Sequence, residues 1–198
     1  METRRRYEIL DHLPPYGPMY ISITDNADEP FVSEGYVIRF YKKDGSDWVA
    51  NFRPGWTDCS FVKDYPDSDN IIVIANGMGY IVTTESEKPI ETFGISIKNV
   101  LEINKNNLLI SDDIGVEIIN ENGIEWKSPR ISWDGIKNLS INDNILTGLS
   151  FDPMNDLEEW CEFSIDLITK EINGGSYRKY YTDDNRLKKL KPWWKIWN

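Results

Sequence analysis

Catalysis by a nucleophile–histidine pair would have to run through His12, because the chain contains one histidine. In LDHLPPYG it sits beside two prolines near the N-terminus. No nucleophile motif accompanies it, so a capping or surface role fits better than that of a general base. Cys59 and Cys161 lie 102 positions apart and form neither a CxxC pair nor a zinc-ligand pattern. They read as reduced thiols, with a disulfide open only if the two meet in space. No G-x-S-x-G, P-loop, H-E-x-x-H or G-x-G-x-x-G run occurs. Gly77-Met78-Gly79 is a lone G-x-G between two strand-like runs, and it needs only the positive φ that glycine reaches without steric cost. These patterns point away from an enzyme, and no cofactor is expected.

Oxygen ligands are the next chemistry to weigh. The run DPMNDLEEW supplies Asp152, Asn155, Asp156, Glu158 and Glu159. Packed so closely they could hold calcium, but the spacing departs from the EF-hand loop and no glycine marks its sharp turn. A solvated acidic loop without a metal is the expectation. Asp134, Asp152 and Glu162 are conceivable members of a glycosidase pair, which would need two carboxylates converging from separate strands on a sugar cleft. A glycosidase, or a sugar-binding protein stacking glycans on tryptophan, therefore stands as an alternative reading.

Tryptophan carries more information. In WCEFSIDL (160–167), Cys161, Phe163, Ile165 and Leu167 alternate, so a strand here places Trp160 with Glu162, Ser164 and Asp166 on the polar face. A large aromatic on a polar face beside an acidic loop has the makings of a protein-binding hot spot. Trp160, Asp156, Glu158, Glu159 and Glu162 are the candidate partner-binding residues on that ground. Trp56 in FRPGWTD and Trp133 in RISWDG join them, because they fall at strand ends or loops, where binding residues collect. Packing against neighbouring segments is the competing role for each. Trp48, in register with Phe52, and Trp126, in register with Ile124, are assigned to the core.

Short segments rich in Ile, Val, Trp, Tyr and Phe must position these residues. Turn signals separate them at Lys43-Asp44-Gly45, Asn76-Gly77, Asn122-Gly123 and Asn173-Gly174-Gly175. Strands are expected at 35–42 and 46–53, joined as a hairpin by Asp44-Gly45. Others are expected near 18–24, 70–75, 79–84, 96–103, 107–111, 115–120, 123–128, 137–141, 145–150, 159–166 and 169–173. Residues 4–11 could make a short helix, and no long 3.6-residue apolar period occurs before residue 184.

The body also repeats itself. NIIVIANGMGYIVTTES (70–86) lies on NLLISDDIGVEIINEN (107–122) at a shift of 36 to 37, and the Ile-Lys-Asn phrases at 97–99 and 136–138 recur at 39. A period near 40 with about four short strands resembles a β-propeller blade, the WD40 class included. Ser132-Trp133-Asp134 contains a Trp-Asp pair, but no Gly-His partner precedes it at WD40 spacing. The resemblance implies an all-β, propeller-like array of about four strand-rich repeats, closed or open. A β-sandwich or meander is the alternative.

Composition bounds the rest. The chain of 198 residues is long enough for one domain with appendages. Three segments are expected: an N-terminal piece (1–17), one all-β domain (18–177) and a basic aromatic tail (178–198). The tail holds seven basic and two acidic residues, a balance of +5, so the other 177 residues carry −16, and the two together give the formal −11. That acidic body argues against nucleic acid as partner. No run approaches the length of a transmembrane helix or follows the basic N-terminus as a signal peptide would, so a cytoplasmic location is expected. Trp193, Trp194 and Trp197, interleaved with lysine, are expected to dock on the body or a partner. Anchoring at an anionic membrane through 183–198 is a further alternative. The leading expectation is a non-catalytic binding module for a protein, favouring a basic one, of inhibitor or immunity type.

Overall fold

The computed structural model describes residues 5–16, 20–24, 33–65, 67–154 and 159–181. Among them the chain is all-β, with sixteen strands in four sheets of four and a single 3₁₀ turn at Tyr177–Lys179. The first sheet holds β1 (Tyr7–Leu10), β2 (Ile21–Ile23), β3 (Tyr36–Tyr41) and β4 (Asp47–Phe52), in the order β1-β3-β4-β2. The second is the meander β5 (Phe61–Asp64), β6 (Asn70–Ala75), β7 (Met78–Thr83), β8 (Glu91–Phe93). The third, β9 (Asn99–Glu102), β10 (Leu108–Ser111), β11 (Val116–Asn120), β12 (Gly123–Lys127), is also a meander. So is the fourth, β13 (Ile136–Asn142), β14 (Ile145–Asp152), β15 (Glu159–Asp166), β16 (Ile172–Gly174).

Each sheet is complete before the next begins, the organisation expected of strand-rich repeats. The repeated phrases take similar places: 70–86 and 107–122 supply the second and third strands of their sheets, while Ile-Lys-Asn leads into β9 at 97–99 and opens β13 at 136–138. The first repeat departs from the meander, since β2 pairs with β4 in parallel.

Two compact units are present, Met1–Ile110 with Ile118–Trp126, and Ser111–Glu117 with Lys127–Asn198. In the first, Ile38, Phe40, Trp48, Ala50 and Phe52 meet Ile71, Val73, Ala75, Met78, Tyr80 and Val82. Ile72, Ile74 and Ile81 point the other way, onto Phe93, Leu108, Ile110 and Ile119. The second sheet is thus covered on both faces, which is why Ile71–Ala75 is an unbroken apolar run rather than an alternating one. Trp48 joins the core as expected, and its Nε1 donates to the Thr84 carbonyl at 2.8 Å. In the second unit Ile131, Ile136, Leu146, Phe163, Ile165 and Leu167 are buried.

Two expectations need correction, and two strands went unforeseen. Residues 7–10 form a strand, not a helix, because β1 finds an antiparallel partner in β3 with Tyr7 opposite Phe40. Arg6 pins its start by donating to Asp64 Oδ1 at 2.7 Å and to the carbonyls of Tyr65, Ser68 and Asp69. Trp126 is half-buried and Ile124 is exposed, because β12 is the edge strand of its sheet. Finally, β5 and β8, short and without clear alternation, carry no sequence signal of their own.

Candidate functional site

In the fourth sheet β14 and β15 pair continuously, from Ile145 opposite Asp166 to Asp152 opposite Glu159. Side chains alternate, so Leu146, Gly148, Ser150 and Asp152 share a face with Cys161, Phe163 and Ile165. Thr147, Leu149 and Phe151 share the other with Trp160, Glu162 and Ser164. The first face is buried and ends in a carboxylate, Asp152, with no exposed surface. A buried carboxylate requires a counter-charge and donors. Lys179 Nζ supplies the charge at 3.2 Å from Oδ2, with the Tyr180 hydroxyl at 3.3 Å and Cys161 Sγ at 3.8 Å. The Met154 amide donates to Oδ1 at 3.1 Å.

Lys179 also donates to Glu159 Oε2 at 3.2 Å. The ligand atoms of Asp152, Glu159 and Cys161 lie within 4.8 Å of one another, a donor set of the kind that holds a cation. Here the lysine ammonium already bridges the two carboxylates. Contact with Cys161, then with Asp152 and Glu159, raises the Lys179 pKa above the ordinary lysine value. Burial, then the Asp152 charge, raises the Tyr180 phenol.

The chain reaches this clamp through a tight return after β16. Gly174 and Gly175 adopt φ of +76° and +92°, and a side chain on Gly174 would strike the Glu162 carbonyl. Ser176 is then buried, its amide donating to Ser150 Oγ at 2.9 Å and its hydroxyl to the Phe151 carbonyl at 2.6 Å. Tyr177 and Tyr181 stack at 4.7 Å, and Trp133 meets them edge-on at 4.8 and 5.7 Å. Arg130 lies over Tyr177 at 4.8 Å and donates to the Trp133 carbonyl. Trp133 is thus half-buried in an aromatic cluster that fastens the end of the described chain.

Trp160 lies on the polar face as expected, 36% exposed, but it is not a bare platform. Lys137 Nζ stands 3.6 Å from its ring centroid and Phe151 lies at 5.3 Å. Glu159 and Glu162 are exposed nearby. Asp152 and Glu162 point to opposite faces of the sheet, so they do not converge as a glycosidase pair. Asp156 and Glu158 lie outside the described residues, as do Trp193, Trp194 and Trp197. Cys59 and Cys161 are free thiols, and burial pushes that of Cys59 up.

Trp56, in the first unit, is of another kind. Its indole is 78% exposed, beside the 39% exposed Ile95. Yet its loop is pinned throughout. The amides of Gly55, Trp56 and Thr57 donate at 2.9 Å to the carbonyls of Ala75, Ile95 and Asn76. Thr57 Oγ1 donates to the Ile97 carbonyl at 2.5 Å, and the Gly77 amide to the Cys59 carbonyl at 2.8 Å. Gly55 sits so close to Ile95 and Met78 that a Cβ would collide with their backbones. Sequence reasoning found Trp56 but not this fixation, because the bonds come from turns 18 to 40 residues further on. Lys179, Tyr180, Arg130 and Lys137 it missed outright. The one available clue was that Asp152 continues the buried parity of Leu146, Gly148 and Ser150.

No protein-family model matches the chain, and no curated protein does. Among solved structures the chain is similar to the N-terminal domain of Nup159, with a TM-score of 0.38 and 10% sequence identity. The match covers 61% of this chain and 34% of that one, so this chain spans about a third of that structure's length.

Proposed function

We propose that the protein is a non-catalytic binding module for another protein, of inhibitor or immunity type, with Trp56 as an anchor of the partner-facing surface. The observation that carries this reading is an exposed indole on a loop whose backbone is hydrogen-bonded at successive residues. Nothing in the core requires that side chain, whereas a partner gains from meeting an aromatic whose backbone is already held, since less ordering entropy remains to be lost. Central tryptophans of this kind typically cost about 2 kcal/mol or more of binding when truncated. The formal charge of −11 favours a basic partner, drawn in by electrostatic steering. The sugar-binding alternative loses Trp160 as a stacking platform, because Lys137 occupies the face of its ring.

The test is affinity capture from the native host with the full chain, followed by binding of the captured protein to wild type and to Trp56→Ala. Affinity should fall about thirtyfold in the variant, the equivalent of 2 kcal/mol. Association should slow steeply as salt is added. Equal binding by the variant, or an association rate indifferent to salt, counts against the reading.

A further inference from the structure

We infer that the exposed face of the fourth sheet is a peptide groove that takes a short extended segment bearing a basic side chain. The inference rests on the protein-binding reading and gives it a second recognition site. A trough of about 520 Å³ lies across the strands. A bulge between Lys137 and Ser140 places Asn138 at φ +55°. Gly148 and Gly174 border it with backbone alone, since a Cβ on Gly148 would point to the buried face, against Leu139 and Phe163.

The trough is lined by hydrogen-bonding groups that the fold does not use. The side chains of Asn138, Glu162, Ser164 and Asn173 have no hydrogen-bond partner among the described residues. Thr147 Oγ1 has only a 3.5 Å contact with the Ser140 carbonyl. Two carboxamides, each both donor and acceptor, match the alternating N–H and C=O groups of an extended main chain. Leu149 adds an apolar seat between them. Among the described residues Glu162 is the only charged one in the lining, which favours a lysine or arginine over an anionic group. A saccharide fits less well, because the adjacent aromatic, Trp160, has its ring covered by Lys137.

The probe is a positional-scanning library of capped hexapeptides, read by amide chemical shifts of the full-length isotope-labelled protein. Lysine or arginine should be enriched at one position, with shifts confined to residues 138, 147–149, 162–164 and 173–174. Glu162→Gln and Thr147→Arg, the latter filling the trough from an exposed position, should each weaken binding about tenfold or more. Trp56→Ala should leave peptide binding unchanged. No preference for a basic residue, shifts elsewhere, or wild-type binding by a Thr147→Arg protein of unaltered melting temperature would overturn the inference. If Trp56→Ala abolishes peptide binding while Thr147→Arg does not, the groove fails and the protein-binding reading survives. If both variants bind peptide normally yet Trp56→Ala loses the captured partner, the same conclusion follows.

Discussion

Tyr65 is 5% exposed, and its hydroxyl has no hydrogen-bond partner among the described residues. Burial, then the charges of Glu121 and Glu102, pushes its phenol up to about 12. A raised folded pKa means that the unfolded chain gives up this proton first. The stability Tyr65 contributes is therefore complete below about pH 10 and is lost as pH climbs toward 12. Tyr65→Phe should flatten that alkaline decline and, by removing an unsatisfied hydroxyl, raise stability at neutral pH by about 1 kcal/mol. Urea unfolding at neutral and alkaline pH checks both, and a destabilised variant would show that the hydroxyl has a partner in the folded state. Some alkaline loss should remain in the variant, because the Lys179 pKa is raised as well and its contribution also fades at high pH. Residue-scale reading of the sequence served well where a side chain had a regular strand beneath it, as with Trp48. It failed for Trp126, whose strand proved to be an edge, and for Asp152, whose counter-charge arrives from 27 positions away.

At the scale of elements, β6 gives the sharpest test. Ile71 and Ile72 are neighbours in the chain but face different sheets, and both are fully buried. Ile71→Ala and Ile72→Ala should each cost about 3 kcal/mol, measured by denaturant unfolding. In a strand covered on one side, only one of two such neighbours would matter, so a large asymmetry would refute the two-sided packing. Hairpins were legible because Asp44-Gly45 and Asn76-Gly77 declare their turns, and Gly45 and Gly77 both adopt φ of +96°. By contrast β1, β5 and β8 owe their conformation to partners. Tyr7–Leu10 is extended because β3 offers it a ladder and Arg6 is caught by Asp64 and three carbonyls. Local propensity has no access to either.

For the whole molecule the formal charge of −11 sets a background of self-repulsion. Raising sodium chloride from about 20 to about 200 mM at neutral pH should lift the melting temperature by about 2 to 4 °C, as screening relieves it. An unchanged or lower value would mean that local ion pairs, such as Lys63 with Glu102 at 2.7 Å, outweigh the net repulsion. Charge, strand character and repeat length are sums or periodicities along the chain, so the sequence by itself determined the all-β class, the four-stranded repeat and the acidic balance. Which side chains meet is a property of distance in space. Only the tertiary structure decided that Lys179 closes the Asp152 clamp, that Lys137 caps Trp160, and that the loop of Trp56 is held by hydrogen bonds along its backbone. Each depends on contacts between residues that no local pattern connects.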